Sequence, residues 1–193
     1  MTPSRPVAGL LLAAGAGSRY GRPKALVEGW LAHGVAALRD GGCSPVVVVL
    51  GARAEESRAL LAGSDAVVVV ADDWAEGMAA SLRRGLAALP READAVVVTL
   101  VDLPDVGADV VARLRGAVVG TDTLARAVYD GRAGHPVVLG RDHWAPIAHA
   151  VEGDRGAGPY LQARPTRAVE CADLATGRDV DRPGGAPPLP PPA

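Results

Sequence analysis

Four short, almost purely aliphatic runs recur across the first half of the chain: Val7–Ala14, Pro45–Leu50, Val67–Ala71 and Ala95–Val101. Each is too short to cross a membrane. Val7–Ala14 and Pro45–Leu50 are also too uniformly apolar to be strands with one wet face, so both their faces must be covered. Between the runs lie stretches with helical spacing, among them Leu31, Val35 and Leu38, then Arg53–Leu61, then Met78, Leu82, Leu86 and Leu89. A strand, helix, strand alternation of this kind closes only as a parallel sheet with right-handed crossovers and helices on both faces. The chain has 193 residues, 49% of them hydrophobic but only 3% aromatic and with no Phe, so Val, Leu and Ala must build the core. That length bounds one domain, 1–182. The Pro/Gly-rich stretch 183–193 cannot hold helix or sheet and is expected to be a disordered tail.

The first run ends in glycine and charge: Leu12-Ala13-Ala14-Gly15-Ala16-Gly17-Ser18-Arg19-Tyr20-Gly21-Arg22-Pro23-Lys24. Gly15, Gly17 and Gly21 permit backbone angles that let several N–H groups converge on one anion. Arg19 and Lys24 add fixed positive charge, and Pro23 restricts how Lys24 leaves the loop. A triphosphate fits this chemistry. The P-loop spacing fails, because Tyr20, Gly21 and Arg22 stand where Gly, Lys and Ser/Thr are required. The dinucleotide fingerprint fails too: its third glycine falls on Tyr20, and no acid ends a second strand to meet a ribose.

Asp102 stands at the end of the fourth run, at the sheet edge where ligands of parallel sheets collect. A carboxylate there suits a hard cation such as Mg²⁺ bound to a polyphosphate; the alternative is an N-cap for the helix carrying Val106, Val110 and Leu114. Gly77 and Ser81 open the third helical stretch, where backbone donors and a hydroxyl reach a base or ribose, although on spacing alone Met78 is core and Ser81 an ordinary helix hydroxyl. Beyond Gly120 the pattern changes. Leu124–Tyr129 and Pro136–Leu139 read as strands around an Asp130-Gly131 turn, an antiparallel insert whose loop, 131–136, presents Arg132 and His135 to an acceptor's phosphate or heterocycle. His135 reads equally as a satisfied turn residue. Helical pieces follow from near Pro146 and at Pro159–Arg164, then a last strand at Thr166–Glu170. Asp173, Asp179 and Asp181 crowd the end, a pattern that by itself is a solvated acidic turn.

The net charge is −2, and no basic block offers a footprint for nucleic acid or an anionic membrane, which favours a small-molecule substrate. Cys43 and Cys171 lack metal-type spacing and read as small apolar fillers. With no signal peptide in the reading, a cytoplasmic location is expected.

Four motifs taken in order, LAAGAGSRYGRPK, DDWAEGMAASLRRGL, VDLP and GRAGHPVVLGR with GDRGAG and DVDRP after it, resemble the MobA-like NTP transferases, and among them the molybdenum cofactor cytidylyltransferases. The resemblance implies an α/β fold: a three-layer Rossmann-like nucleotidyltransferase fold with a mostly parallel mixed sheet. It implies a nucleotide over Leu12, Ala13, Ala14, Gly15, Gly17, Arg19, Lys24, Gly77, Ser81 and Asp102, and an acceptor over the far half near Arg132, His135 and Asp154. Arg19, Lys24 and Asp102 would be catalytic. Asp102 would hold Mg²⁺ together with Asp179 or Asp181. The implied reaction moves CMP from CTP to a phosphorylated acceptor of the molybdopterin type and releases pyrophosphate, with a molybdoenzyme or its maturation factor as protein partner. Ala14, where guanine users carry a second glycine, favours CTP. Other acceptors, a non-catalytic cofactor-delivery protein and a Rossmann oxidoreductase are the competing readings. The chain departs from the family pattern in its short connection from Ala25 to Trp30, at Gly158, and at Arg182.

Overall fold

The computed structural model describes residues 6–183, so all of the expected tail except Pro183 lies outside the described residues. Seven strands form one sheet: β1 (Val7–Ala13), β2 (Val46–Leu50), β3 (Val67–Val70), β4 (Ala95–Leu100), β5 (Leu124–Tyr129), β6 (Arg132–Gly140) and β7 (Arg167–Glu170). Their order is β3-β2-β1-β4-β6-β5-β7. Six α-helices flank them: α1 (Trp30–Asp40), α2 (Ala54–Ala59), α3 (Met78–Ala87), α4 (Ala108–Arg115), α5 (Trp144–Ala150) and α6 (Gly158–Gln162).

Alternation along β1 explains the layering. Val7, Leu11 and Ala13 face a core shared with Leu31, Val35 and Leu38 of α1 and Val110, Val111 and Leu114 of α4. Ala8, Leu10 and Leu12 face the opposite core, with Leu82 and Leu86 of α3, Ile147 of α5 and Leu161 of α6. Burying a leucine completely on either side contributes roughly 1.5–3 kcal/mol. Two helix glycines set the approach distance. A Cβ on Gly34 of α1 would stand 2.9 Å from the Leu11 methyls, and one on Gly85 of α3 would stand 2.7 Å from a Leu10 methyl.

β1 pairs in parallel with both β2 and β4. The connection after β1 leads to β2 on one side, while the one after β4 leads to the far half on the other. A crevice therefore opens beyond the carboxyl ends of β1 and β4, the switch point at which open α/β sheets receive ligands.

The far half differs in detail from the sequence reading. Only β6 is reversed, antiparallel to both β4 and β5, whereas β7 runs parallel to β5. The hairpin turn is just Asp130-Gly131, both with positive φ (51° and 78°), which is the geometry that matches the twist of two paired strands. Residues 132–136 are consequently not a loop. They form the first half of β6, where 134–136 bulge opposite Ala127 in the pairing with β5. Helix α5 likewise begins at Trp144, two residues before Pro146, which sits in its first turn where its missing N–H costs nothing.

Candidate active site

The glycine loop leaves β1 at Ala14, whose carbonyl is held by the Ala52 N–H at 2.9 Å. Gly17 has φ +63°, and a Cβ there would lie 1.9 Å from the Arg22 carbonyl oxygen, so no other residue fits. Tyr20 and Gly21 N–H close back onto the Gly17 carbonyl at 2.9 and 2.8 Å, while none of the N–H groups of residues 15–19 donates to a backbone oxygen among the described residues. Those amides are what an anion would meet. Pro23 then opens a 3-10 turn at Lys24–Leu26, closed by the Leu26 and Val27 N–H groups. The turn fixes the backbone from which Lys24 projects.

Lys24 Nζ donates to Asp102 Oδ2 at 2.8 Å and to Asp181 Oδ1 at 2.9 Å. Arg19 Nη1 reaches Asp181 Oδ2 at 2.7 Å. The Lys24 and Asp102 side chains are only 13% and 17% exposed, whereas Arg19 is 76% exposed, so the first pair is the shielded one. Burial alone would lower the Lys24 pKa, but the hydrogen bonds and charges of Asp102 and Asp181 outweigh it and leave the ammonium above its ordinary value. The Lys24 hydrogen bond holds Asp181 below the usual carboxylate value; burial opposes this, and Arg19 and Arg182 add to it.

Asp102 is not a helix cap: α4 starts at Ala108, with Gly107 before it. It projects instead from the end of β4, where Val101 N–H still bonds to the Leu12 carbonyl at 3.2 Å. Its Oδ1 is buried and has no partner. A buried anionic oxygen without a donor calls for an explanation, and a cation supplies one. One carboxylate oxygen from each of Asp102, Asp179 and Asp181 lies within 4.8 Å of the others. Three hard oxygen donors at this spacing fit Mg²⁺ or Mn²⁺. The segment carrying the two late aspartates is tied to the sheet by Val180 N–H on the Asp102 carbonyl at 3.0 Å.

These groups line one cavity of about 540 Å³. Leu12, Ala13, Ala14, Gly15, Gly17, Arg19, Lys24, Gly77, Ser81 and Asp102 all border it, as does Asp181. Asp179 stands in the carboxylate cluster but is exposed. Asp154 also borders this cavity: a Cβ on Gly77 would meet Asp154 Oδ1 at 2.6 Å, which places Asp154 beside the start of α3 and not over the far half of the sheet. Arg132 and His135 do not line it. Arg132 Nη2 donates to the Thr176 carbonyl at 3.3 Å. His135 lies within β6, where burial, aided by the Arg126 charge and opposed by Asp179, lowers its pKa to about 4.

Sequence reasoning passed over Tyr20, Trp74 and Met78 as cavity walls. The signal for Trp74 was its position just past β3 at the ligand edge. Met78 both packs on the core and borders the cavity, so its helical spacing alone points inward. Nothing in the sequence singles out Arg126 of β5, whose Nε is buried without a partner.

A seven-stranded mixed sheet with one reversed strand, a glycine loop of amides unpaired among the described residues and a carboxylate cluster beside it are the features of an α/β enzyme of the nucleotidyltransferase class. The chain matches the MobA-like NTP transferase domain over residues 9–169, and it belongs to that family. It is 35% identical to nicotine blue oxidoreductase of Paenarthrobacter nicotinovorans over 189 residues, covering 91% of this chain and 92% of that one. Among solved structures it is similar to Rv0371c of Mycobacterium tuberculosis H37Rv, with TM-score 0.78, 29% identity and coverage of 93% and 94%. That protein has also been solved as a manganese complex, to which the TM-score is 0.71 at 25% identity, with 86% and 88% covered. A nucleotidyl transferase of Methanothermobacter shares the fold, with TM-score 0.78, 22% identity and coverage of 91% and 92%. Among the described residues, no helix is long and apolar enough to cross a membrane.

Proposed function

We propose that the protein is a Mg²⁺-dependent nucleotidyltransferase that moves CMP from CTP onto a phosphorylated acceptor of the molybdopterin type. The observation that carries this reading is the convergence of Lys24, the glycine-loop amides and the Asp102 and Asp181 carboxylates on one cavity, with Asp179 grouped with those two carboxylates. In this mechanism an acceptor phosphate oxygen attacks the α-phosphorus in line, the bond to the β-phosphate oxygen breaks, and pyrophosphate leaves. Lys24 exchanges its carboxylate partners for phosphate oxygens as the nucleotide enters. The loop amides and Arg19 hold the remaining phosphate charge as it shifts toward the leaving group. A divalent cation on the three aspartates supplies the rest of the charge neutralisation. No protein nucleophile is needed. Gly77 and Ser81 at the start of α3, with Trp74 nearby, line the part of the cavity assigned to base and ribose. His135 of β6 and Arg126 of β5, whose charge acts on the imidazole, are assigned to the acceptor end. A nucleotide substrate of this kind favours the cytoplasm, with a molybdoenzyme or its maturation factor as recipient of the product.

Thermal stabilisation by CTP, GTP, ATP and UTP, each with and without Mg²⁺, tests base choice and metal need together. Pyrophosphate release over a panel of phosphorylated acceptors tests the reaction. Absence of any Mg²⁺-dependent shift with all four nucleotides would dispose of the proposal. A second reading, an oxidoreductase, is favoured by the 35% identical relative named nicotine blue oxidoreductase. It predicts binding and oxidation of a reduced nicotinamide cofactor with no pyrophosphate release.

A further inference from the structure

The segment from Cys171 to Asp181 contains no helix or strand, yet it delivers two of the three carboxylates of the acidic cluster. A few backbone bonds and several side-chain fastenings order it, among them Arg113 on Asp173. One fastening grips Thr176. Asp105, three residues beyond Asp102 in the turn after β4, accepts through one oxygen, Oδ2, from both the Thr176 N–H and the Thr176 Oγ1–H, each at 2.6 Å. Arg132 Nη2 holds the carbonyl of the same residue at 3.3 Å. All three polar atoms of Thr176 are thus engaged. One residue later Gly177, at φ +59°, lies flat on the Tyr129 ring, where a Cβ would come within 2.0 Å of the ring edge. Two residues after that comes Asp179.

We propose that Asp105 is a positioning residue for the metal-binding carboxylates, acting through Thr176, with Arg132 as the opposite jaw of the same clamp. The inference rests on the metal reading given above. Asp105 spans 71 residues to reach Thr176 and touches none of the three carboxylates itself. Its other oxygen, Oδ1, is buried without a partner, so the carboxylate gives up hydration in order to hold this one residue. With Thr176 fixed, only residues 177–178 separate the clamp from Asp179. With it free, the segment keeps Val180 N–H on the Asp102 carbonyl and the Asp181 ion pairs with Lys24 and Arg19, among the described residues, while Asp179 itself samples positions away from Asp102. Arg132, read from the sequence as an acceptor contact, takes a different role here: it secures the chain that carries the metal ligands.

The test measures Mn²⁺ binding to the full chain, without nucleotide, by the loss of the free-ion electron paramagnetic resonance signal. Thr176→Val and Asp105→Ala are the working variants, Thr176→Ser is the conservative control, and circular dichroism checks folding. The expected result is Mn²⁺ affinity about tenfold weaker in Asp105→Ala, the size of one lost hydrogen bond to a charged group, and a smaller loss in Thr176→Val, which keeps its N–H. Thr176→Ser restores wild-type affinity. A lowered melting temperature with unchanged Mn²⁺ affinity in both variants makes the clamp merely structural and overturns the proposal, while leaving the metal reading intact. No Mn²⁺ binding by the wild type overturns both. Should Asp105→Ala fail to fold, Thr176→Val, a near-isosteric change at an exposed position, decides the matter.

Discussion

Replacing Lys24 with Met tests the centre of the site, because it deletes one charge and little volume. Lys24 Nζ holds Asp102 at 2.8 Å and Asp181 at 2.9 Å, and its removal leaves Asp102, Asp179 and Asp181 clustered with the exposed Arg19 still paired to Asp181. Breaking a fully buried ion pair costs about 3–5 kcal/mol. This pair retains some solvent contact, at 13% and 17% side-chain exposure, so screening reduces the cost to ~1–2 kcal/mol. For a chain of this length that corresponds to a melting temperature lower by about 2–8 °C. Added Mn²⁺ should recover most of the loss, since the cation neutralises the same carboxylates and no longer competes with the ammonium. Pyrophosphate release should fall by about 10²–10³, the range seen when one charge-stabilising donor is removed. Differential scanning fluorimetry with and without Mn²⁺, paired with a pyrophosphate assay, reads all three. A variant that melts with the wild type in the absence of metal and turns over at its rate would refute the reasoning.

Further outcomes follow from individual residues. Asp181, held below its ordinary value of 3.8, contributes stability above that pH and loses it as pH falls through the lowered value. Lys24, raised above 10.5, contributes below that pH and loses it as pH rises past the raised value. Urea unfolding should therefore give a stability difference between wild type and Asp181→Asn that is flat from pH 6 to 9 and shrinks below pH 4. Gly17→Ala puts a methyl against the Arg22 carbonyl and should abolish nucleotide-induced stabilisation while the fold survives by circular dichroism. His135, with a pKa near 4, stays neutral at physiological pH, so wild type and His135→Gln should show pH–rate profiles of the same shape between pH 5.5 and 8. An inflection lost in the variant would show the imidazole titrating there. Leu11→Ala, at a side chain with no exposure, should cost about 2–5 kcal/mol through the cavity it leaves between β1, α1 and Gly34.

The strands β1 to β4 were legible because each is a local signal, an aliphatic run bounded by glycine, proline or charge. The helices were legible through their spacing, and the glycine loop through residues within a dozen positions of one another. Lys24 and Asp102 could be picked out singly, one by its place after the loop and the other by its place at a strand end. The errors lie where pairing partners, not local preference, decide. The stretch 132–136 holds two small residues and a proline and reads as loop, but the pairing of Arg132 and Ala133 with β5 and the packing of Tyr129 against Gly134 make it strand.

The sequence alone determined the composition of the core, the period of each element and the chemical character of the loop, since these depend on neighbours along the chain. Only the tertiary structure decided that β4 lies beside β1, that β6 enters reversed, and that Asp181 crosses 157 positions to reach Lys24 while Thr176 crosses 71 to reach Asp105. Such contacts form when closing a long stretch of chain is offset by many burials and hydrogen bonds at once. No single residue carries that sum, so no reading of residues in order can supply it.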